Sequence, residues 1–238
     1  MRTVSHRGAS ALAPENTLLA VRLAVRHGVD FAEVDVHLSR DGQLVVHHDA
    51  DVTAGNGTRV PITTLSAAQL ARVPKGSGQM VPTLDEVFAV AGRRIGVYVE
   101  LKAPGTPRAF GALLSQMQRV PELIVASFSP TLVAEARRAA PDVPRGVLFW
   151  GASIATMTET CRKVGASYAH PCRRPITSAA VRRLHAAGLH VMTPHTNDLA
   201  EAKHFRDMGA DLVASDDPRL LVALQRGTDT LEQRNVGR

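Results

Sequence analysis

The sequence predicts a (β/α)8 TIM barrel, and three observations lead to that fold class. Eight short β-type runs alternate with amphipathic helical segments along the chain. The length of 238 residues lies in the range of about 200–250 residues that one α/β barrel often occupies. Several helical segments end at a glycine that can cap them, as at Gly28, Gly165 and Gly209. A doubly wound open sheet is the alternative, but eight regular units favour closure.

The elements follow one another in a regular order. Strands are predicted at residues 3–6, 31–39, 95–102, 123–128, 145–149, 167–170, 190–193 and 211–215. Helices are predicted at residues 16–27, 84–92, 108–119, 130–140, 154–164, 178–187 and 199–208. We therefore expect a single barrel domain over residues 1–224. Residues 225–238 are polar and aperiodic, and we expect them to form a flexible tail.

One run breaks the alternation. Residues 43–48 follow the second strand after Asp41-Gly42, which is a two-residue hairpin signal. This predicts an antiparallel return outside the eight strands, with Asp35 opposite His48. Residues 49–81 then form a short insertion within the barrel, which we interpret as a small lid.

The charge balance raises the possibility of a nucleic-acid-binding protein. The chain carries 28 Lys+Arg against 22 Asp+Glu, a formal net charge of +6. Basic pairs such as Arg137-Arg138, Arg173-Arg174 and Arg182-Arg183 lie on separate segments. Such pairs on amphipathic helices are usually solvated faces, and an aromatic content of 4% offers no platform for stacking bases. We therefore expect no nucleic-acid partner.

The sequence also bears on compartment and assembly. The amino terminus has no apolar segment of the signal-peptide type, and no stretch approaches the roughly 18 apolar residues that cross a bilayer. We expect a cytoplasmic protein without membrane insertion. The 2 cysteines form no disulfide framework, and the oligomeric state is left open.

An acidic row lies on one face of the second predicted strand. Because side chains alternate between the faces of a strand, Glu33, Asp35 and His37 share a face opposite an apolar one. Carboxylates are costly inside a barrel unless something neutralises them. Two of them at positions i and i+2 suit a hard divalent cation with oxygen ligands. The alternative is a half-solvated strand with a charged outer face.

The third predicted strand repeats this arrangement. Glu100 and Lys102 lie at its carboxyl end, where the active sites of barrels gather. Glu100 can complete a three-carboxylate metal site, and Lys102 supplies positive charge for an anionic substrate. An ordinary Glu–Lys pair at the strand end is the alternative.

The first strand ends in His6-Arg7-Gly8. Gly8 permits a tight turn, and the guanidinium of Arg7 offers a fork for phosphate. His6 would face His48 across the inferred metal. Two histidines, a divalent metal and an arginine around one cavity can cleave a phosphodiester. One imidazole accepts the proton of the nucleophile, and the other protonates the leaving oxygen.

These residues resemble the motifs of the glycerophosphodiester phosphodiesterases. The matching motifs are His6-Arg7-Gly8, Pro14-Glu15-Asn16-Thr17, Glu33-Val34-Asp35-Val36, Asp41-Gly42, His48-Asp49 and Glu100-Leu101-Lys102. Pro82-Thr83-Leu84, Ser127-Phe128 and Ser215-Asp216-Asp217-Pro218 extend the match over nearly the whole chain. The resemblance implies a TIM barrel that hydrolyses glycerophosphodiesters to glycerol 3-phosphate and an alcohol.

The resemblance also implies roles for single residues. One divalent cation, Mg²⁺ or Ca²⁺, is implied at the positions matching the family's metal ligands, which are Glu33, Asp35 and Glu100. His6 and His48 match the acid/base pair, and Arg7 and Lys102 match the residues that contact phosphate. In the family mechanism the glycerol 2-hydroxyl attacks phosphorus, and water then opens the resulting cyclic phosphate.

Two departures from the family pattern bear on the substrate. The family usually has Trp-Thr-Val-Asn after the seventh strand, with the Trp packed against glycerol, whereas residues 192–197 read Met-Thr-Pro-His-Thr-Asn. Candidates for a substitute wall are Trp150, His170 and His195. The insertion at 49–81 is short for the family, which implies a more open site. A larger alcohol group could be accommodated there. A lysophospholipase D or sphingomyelinase-D-like activity on the same barrel is the alternative, and it predicts an apolar channel beside the metal.

Overall fold

The computed structural model describes residues 1–55, 57–172 and 176–228. The basic pair Arg173-Arg174 and residues 229–238 of the predicted tail lie outside the described residues. Within the described chain the strands and helices alternate as the sequence predicts, with additional short elements in the insertion.

The bounds of the elements are as follows. The strands are β1 (Arg2–Ser5), β2 (Phe31–Leu38), β3 (Leu44–Val46), β4 (Asp51–Thr53), β5 (Arg59–Pro61), β6 (Pro74–Gly76), β7 (Gln79–Met80), β8 (Gly96–Leu101), β9 (Leu123–Ser127), β10 (Arg145–Phe149), β11 (Tyr168–Pro171), β12 (His190–Val191) and β13 (Leu212–Ser215). The helices are α1 (Leu18–His27), α2 (Ala67–Leu70), α3 (Leu84–Ala91), α4 (Thr106–Gln116), α5 (Pro130–Ala139), α6 (Ile154–Val164), α7 (Ser178–Ala186), α8 (Leu199–Asp207) and α9 (Pro218–Arg226). Among the described residues, no helix is both long and apolar enough to cross a membrane.

Eight parallel strands form a closed ring. Their order is β1, β2, β8, β9, β10, β11, β12 and β13, with β13 paired to β1. The ring closes between β12 and β13 through a parallel bridge from Met192 to Leu212. There the Thr193 amide donates a hydrogen bond of 3.0 Å to the Leu212 carbonyl. The predicted TIM barrel is therefore confirmed, and the open sheet is excluded.

The hairpin after β2 differs from its predicted register by one residue. Val36 pairs with Val46 and Leu38 with Leu44, so Asp35 does not lie opposite His48. The loop has three residues, 40–42. It is closed by the Ser39 amide, which donates to the Gln43 carbonyl at 2.9 Å, and its last residue, Gly42, has a φ of 79°. A type I turn followed by a left-handed residue is the usual three-residue hairpin loop. His48 consequently lies in the loop beyond β3.

The carboxyl end of the barrel also departs from the prediction. Helix α9 is absent from the predicted helices, and it includes Gln225 and Arg226, the first two residues of the predicted tail. Gln225 is fixed because its amide nitrogen donates to Thr3 Oγ1 at 3.0 Å and to Asp30 Oδ2 at 2.8 Å. These contacts hold α9 against the amino-terminal end of the barrel.

The insertion at 49–81 forms a small substructure of its own. It contains two antiparallel hairpins, β4–β5 and β6–β7, and the short helix α2. A separate apolar cluster holds these elements to β3, and its buried members are Val45, Val52, Ile62, Leu70 and Val81. The insertion is thus packed against the mouth of the barrel on the side of β3.

The apolar core has two parts that together position the site. One part lies between the outer faces of the strands and the helices. The other fills the lower interior of the barrel and includes Phe31 of β2 and Tyr98 of β8. Because side chains alternate along each strand, the next inward residues of these strands are Glu33, Asp35 and Glu100. The apolar residues therefore fill the lower interior of the barrel, and the carboxylates lie above them at the mouth formed by the carboxyl ends of the strands.

Gly8 is required at the turn after β1 for two reasons. Its φ is 74°, and a Cβ placed on it would lie 2.8 Å from the Cβ of Ala20. We expect Gly8→Ala to lower the free energy of unfolding by roughly 2–4 kcal/mol, through backbone strain and overpacking together. Urea denaturation measures this loss. Gly42→Ala is the matched control, because Gly42 has a φ of 79° with nothing within 4 Å. Equal losses in both variants would contradict the contribution of packing.

Candidate active site

A cavity of about 550 Å³ opens at the carboxyl ends of the barrel strands, the end at which barrel enzymes carry their active sites. All of the site residues predicted from the sequence line it, namely His6, Arg7, Glu33, Asp35, His48, Glu100, Lys102, Trp150, His170 and His195. The fold therefore brings together residues that are spread over most of the chain.

The three predicted metal ligands form a buried cluster. Parallel pairing of β2 with β8 sets Asp35 beside Glu100, and Glu33 precedes Asp35 by two residues on the same face. One oxygen from each carboxylate lies within 4.8 Å of the others. All three side chains are buried. An all-oxygen donor set of this kind fits Mg²⁺ or Ca²⁺.

The shifted pKa values of the three carboxyl groups support a cation site. Burial and then the charge of Asp35 raise the pKa of Glu33 to about 8, and the same two causes raise the pKa of Glu100. Burial alone would also raise the pKa of Asp35, but Lys102, Asn16 and Arg7 outweigh burial and lower it. Without a cation, Glu33 therefore holds a proton at neutral pH.

Asp35 is fixed from two sides. The Lys102 ammonium lies 3.2 Å from Asp35 Oδ1 and donates to Glu100 Oε1 at 2.8 Å. On the other side, Asn16 Nδ2 donates to Asp35 Oδ2 at 2.9 Å, and the Asp35 amide donates to Asn16 Oδ1 at 3.1 Å. Asn16 has a φ of 55°, a conformation that Asn tolerates better than most residues. The sequence analysis assigned Asn16 no role, although Asn16 lies in the Pro14-Glu15-Asn16-Thr17 motif.

Arg7 is held in a strained backbone conformation at the mouth. Its φ is 53°, which costs about 1–3 kcal/mol in a residue other than glycine. Its backbone amide donates to Glu33 Oε2 at 2.7 Å, and Nη1 donates to Glu15 Oε2 at 2.8 Å. Within the described residues its buried Nε has no hydrogen-bond partner, but it lies 3.5 Å from Asp35 Oδ2 in an ion pair. The guanidinium is therefore held between the carboxylates of Glu15 and Asp35.

His6 forms a carboxylate–imidazole pair with Asp216. His6 Nδ1 lies 2.7 Å from Asp216 Oδ1. Asp216 is in turn held by Asn197 Nδ2 at 2.7 Å and by Ser10 Oγ at 3.1 Å. Burial acts to lower the pKa of His6, but Asp216 and Glu33 raise it above its ordinary value. With Nδ1 engaged, Nε2 is the nitrogen that remains for proton transfer.

Two of the candidate wall residues, His195 and His170, contact other rings that line the cavity. His195 is exposed and stacks on His6 with ring centroids 4.4 Å apart and planes 10° apart. His170 is buried against Tyr98, edge to face at 6.3 Å. Burial lowers the pKa of His170 to about 3, so this ring is neutral. His195 therefore contacts a predicted catalytic group, whereas His170 lies in the cavity floor.

His48 is positioned by the loop that carries it. Its Nδ1 lies 2.8 Å from Asp49 Oδ1, and its carbonyl accepts from His37 Nε2 at 3.1 Å. The preceding residue, His47, donates its amide to the Asp35 carbonyl at 3.0 Å and accepts from Lys75 Nζ at 2.9 Å. Burial lowers the pKa of Lys75 to about 8. Sequence reasoning missed Lys75, since its contact depends on how the insertion folds.

The opposite side of the cavity is apolar. Phe128 and Trp150 lie at the rim after β9 and β10, with Leu148 and Met192 below them. Trp150 is 70% exposed. Apolar side chains thus line one side of the cavity that also holds the carboxylate cluster.

The fold is a (β/α)8 barrel, and carboxylates, histidines and cationic side chains meet at the carboxyl ends of its strands. These features define a barrel enzyme with a site for an anionic substrate. The model of the glycerophosphoryl diester phosphodiesterase family matches residues 6–220. The chain belongs to this family, whose members are phosphoric diester hydrolases.

Individual relatives agree with this assignment. A glycerophosphodiester phosphodiesterase of Bacillus subtilis is 27% identical, over 94% of this chain and 86% of its own length. A phosphodiesterase of Oleispira antarctica, solved in complex with the product sn-glycerol-3-phosphate, has a TM-score of 0.85 and 28% identity, covering 97% of each chain. A lysophospholipase D of Rattus norvegicus is 28% identical, over 62% of this chain and 51% of its own length.

Proposed function

We propose that this enzyme hydrolyses glycerophosphodiesters to glycerol 3-phosphate and an alcohol with the help of one bound divalent cation. The observation that carries the proposal is the convergence of three buried carboxylates, two histidines and two cationic side chains on one cavity. Support comes from family membership and from the Oleispira relative, whose structure contains sn-glycerol-3-phosphate.

The cation would be held by Glu33, Asp35 and Glu100. These residues fit the role because their oxygens lie within 4.8 Å of one another and because burial of so much negative charge requires neutralisation. When bound, Mg²⁺ or Ca²⁺ supplies positive charge to the phosphoryl oxygens. Lys102 and Arg7 add their charges from either side of Asp35.

The two histidines would divide the proton transfers. One imidazole accepts the proton of the glycerol 2-hydroxyl while that oxygen forms a bond to phosphorus. The other imidazole protonates the alcohol oxygen as its bond to phosphorus breaks, which leaves a cyclic phosphate. Water then attacks phosphorus, and the bond to the glycerol 2-oxygen breaks with the proton transfers reversed. The products are glycerol 3-phosphate and the alcohol.

The test is a panel of glycerophosphodiesters with choline, ethanolamine, glycerol and serine headgroups. We expect release of glycerol 3-phosphate, loss of that release in EDTA, and recovery on addition of Mg²⁺ or Ca²⁺. Full activity in EDTA would exclude the cation, and absence of release from every substrate would exclude the proposed reaction.

A lysophospholipase D or sphingomyelinase-D-like reaction is the second candidate. The apolar side of the cavity favours it, and one relative carries the name lysophospholipase D. The same panel, extended with lysophospholipids and with sphingomyelin, separates the two candidates by the released product.

Three further expectations stay predictions. Of the arginine pairs, Arg137-Arg138 lies on α5 and Arg182-Arg183 lies on α7. This arrangement supports the expectation that the chain binds no nucleic acid. A cytoplasmic location and a single barrel domain over residues 1–224 are likewise expected.

Asp216 is proposed as the positioning residue of His6. We expect Asp216→Asn to lower kcat about 100-fold or more, since an amide favours the wrong tautomer of the ring, and to change KM little. The limb of the pH–kcat profile that belongs to His6 should shift to lower pH, because the carboxylate that raises its pKa is gone. Asp217→Asn is the matched control, since Asp217 caps α9 and pairs with Arg219. An unshifted profile in Asp216→Asn would contradict the role.

A further inference from the structure

We propose that His6, His195 and Asp216 form a second cation site, which takes a divalent transition metal such as Zn²⁺ and thereby blocks His6. The binding of the ion follows from the geometry of the three side chains. The block of turnover rests on the proposed function, in which His6 transfers protons.

Two groups of side chains in the described part of the chain lie close enough to share one ion. One is the carboxylate cluster, and the other consists of His6, His195 and Asp216, whose ligand atoms lie within 4.8 Å of one another. Carboxylate oxygens alone suit Mg²⁺ or Ca²⁺, whereas imidazole nitrogens suit zinc and its neighbours among the transition metals. The two groups are therefore expected to select different ions.

The histidine group has its own approach from solvent. A second cavity, of about 460 Å³, is lined by all three residues and by Ser10 and Asn197. His6 and His195 line both this cavity and the active-site cavity, so they form part of the wall between them. Nδ1 of His6 faces Asp216, which lines the second cavity. An ion can therefore reach this edge of His6 while substrate occupies the active-site cavity.

Asp216 is already oriented as a metal ligand would be. Asn197 Nδ2 donates to Asp216 Oδ2 at 2.7 Å, and Ser10 Oγ donates to Oδ1 at 3.1 Å. Outer hydrogen bonds of this kind fix the ligands of metal sites. Burial acts to raise the pKa of Asp216, but hydrogen bonds from His6 and Asn197 lower it. The carboxylate is therefore ionised and can bind a cation.

His195 supplies the third ligand after one movement. Its ring is stacked on that of His6 with planes 10° apart, so it must tilt before a nitrogen of each ring can point at the same ion. His195 is exposed, and the tilt needs no rearrangement of the core. Arg7 also lines this cavity, but Glu15 offsets its charge at 2.8 Å. Three protein ligands and one water then give the four-coordinate geometry of zinc.

Coordination of Nδ1 changes what His6 can do. A neutral imidazole carries one proton, and with the ion on Nδ1 that proton lies on Nε2, which then cannot accept another. If the ring is doubly protonated beforehand, its second proton is released to water. The proposed reaction uses each imidazole as an acceptor in one step and as a donor in the other. The bound ion therefore stops turnover.

The kinetic test measures release of glycerol 3-phosphate from glycerophosphocholine in saturating Mg²⁺ as Zn²⁺ is added. We expect kcat to fall by about 100-fold or more at saturating Zn²⁺, the contribution of a general acid or base. KM should change little, because the ion leaves the substrate cavity open, and further Mg²⁺ should not restore the rate.

The variant that tests the site is His195→Phe, which keeps an aromatic face against His6 but offers no ligand. Its half-inhibiting concentration of Zn²⁺ should rise at least about 100-fold, because loss of an outer partner of a metal ligand already costs about 10- to 100-fold. Each variant is compared with its own rate without Zn²⁺, and His195→Ala should give the same result. His190→Phe is the matched control, since His190 is exposed at the start of β12 and pairs with Asp211 at 3.2 Å.

A second readout does not depend on turnover. Co²⁺ can replace Zn²⁺, and it absorbs visible light strongly when it is four-coordinate. In saturating Mg²⁺, the wild-type protein and the Glu100→Gln variant should both develop this absorption with Co²⁺. The His195→Phe variant should not, because it lacks a ligand of the histidine group.

The outcomes are distinguishable. Equal inhibition of wild type and His195→Phe by Zn²⁺ would overturn the proposal, as would inhibition that further Mg²⁺ relieves, since both place the ion elsewhere. Absence of both inhibition and strong Co²⁺ absorption in wild type would overturn it as well. Lack of turnover of every phosphodiester would refute the proposed function, whereas the Co²⁺ spectra would still decide whether the three residues bind an ion.

Discussion

His6→Ala and His48→Ala are each expected to lower kcat by about 100- to 10,000-fold, the range that a general acid or base contributes. His6 is held by Asp216 at 2.7 Å and His48 by Asp49 at 2.8 Å, and both histidines line the cavity that holds the carboxylate cluster. Because each histidine would serve one half of a coupled proton transfer, removal of either stops the same step. Steady-state release of glycerol 3-phosphate measures the loss.

The two variants are expected to act as a unit. The double variant should be little slower than the worse single variant, since losses within one catalytic step are not additive. Both single variants should retain cation binding, which isothermal titration measures. His185→Ala is the control, because His185 pairs with Asp211 at 2.8 Å on a distant surface. Near-normal turnover in either His6→Ala or His48→Ala would refute the two-histidine mechanism.

Glu33→Gln and Asp35→Asn are expected to abolish activity by removing the cation. Loss of a ligand should cost more than about 100-fold, because loss of an outer partner of a metal ligand already costs about 10- to 100-fold. Glu159→Gln is the control for loss of a carboxylate, since Glu159 pairs with Arg162 on the surface of α6. Activity of Asp35→Asn equal to that of wild type would contradict the assignment.

The same site predicts how stability depends on pH. The folded protein raises the pKa of Glu33 from an ordinary value of 4.5 to about 8, so between these values the folded state binds more protons than the unfolded state. The cation-free protein should therefore lose stability as pH rises through this window. A cation that replaces the proton reverses the loss, so the gain in Tm on adding Mg²⁺ or Ca²⁺ should be larger at pH 8 than at pH 6.

The Glu33→Gln variant shows which part of the pH dependence of stability comes from the Glu33 carboxyl group. A glutamine has no proton to lose, so the variant in EDTA should be more stable than wild type at pH 8 and should gain little from the cation. Thermal unfolding at both pH values, with EDTA or with cation, gives the comparison. A cation-dependent gain in Tm that is equal in wild type and Glu33→Gln would show that the cation binds elsewhere.

Much of the site is visible in the sequence because strand periodicity is a local property. Alternation along β2 separates Glu33 and Asp35 from an apolar face, and parallel strands of a barrel end at the same mouth. These two rules are enough to bring Asp35 and Glu100 together. The register of the β2–β3 hairpin is not fixed so simply, because Asp41-Gly42 is compatible with both a two-residue and a three-residue loop.

The sequence by itself therefore determines the barrel, the acidic row and the pair of histidines at its mouth. Tertiary structure decides which groups orient them. Asp216 reaches His6 across 210 positions of the chain, Lys75 reaches His47 from a folded insertion, and Phe128 meets Trp150 only because β9 and β10 are neighbours. Such contacts depend on ring closure and on the packing of loops, and no periodicity within a single segment encodes them.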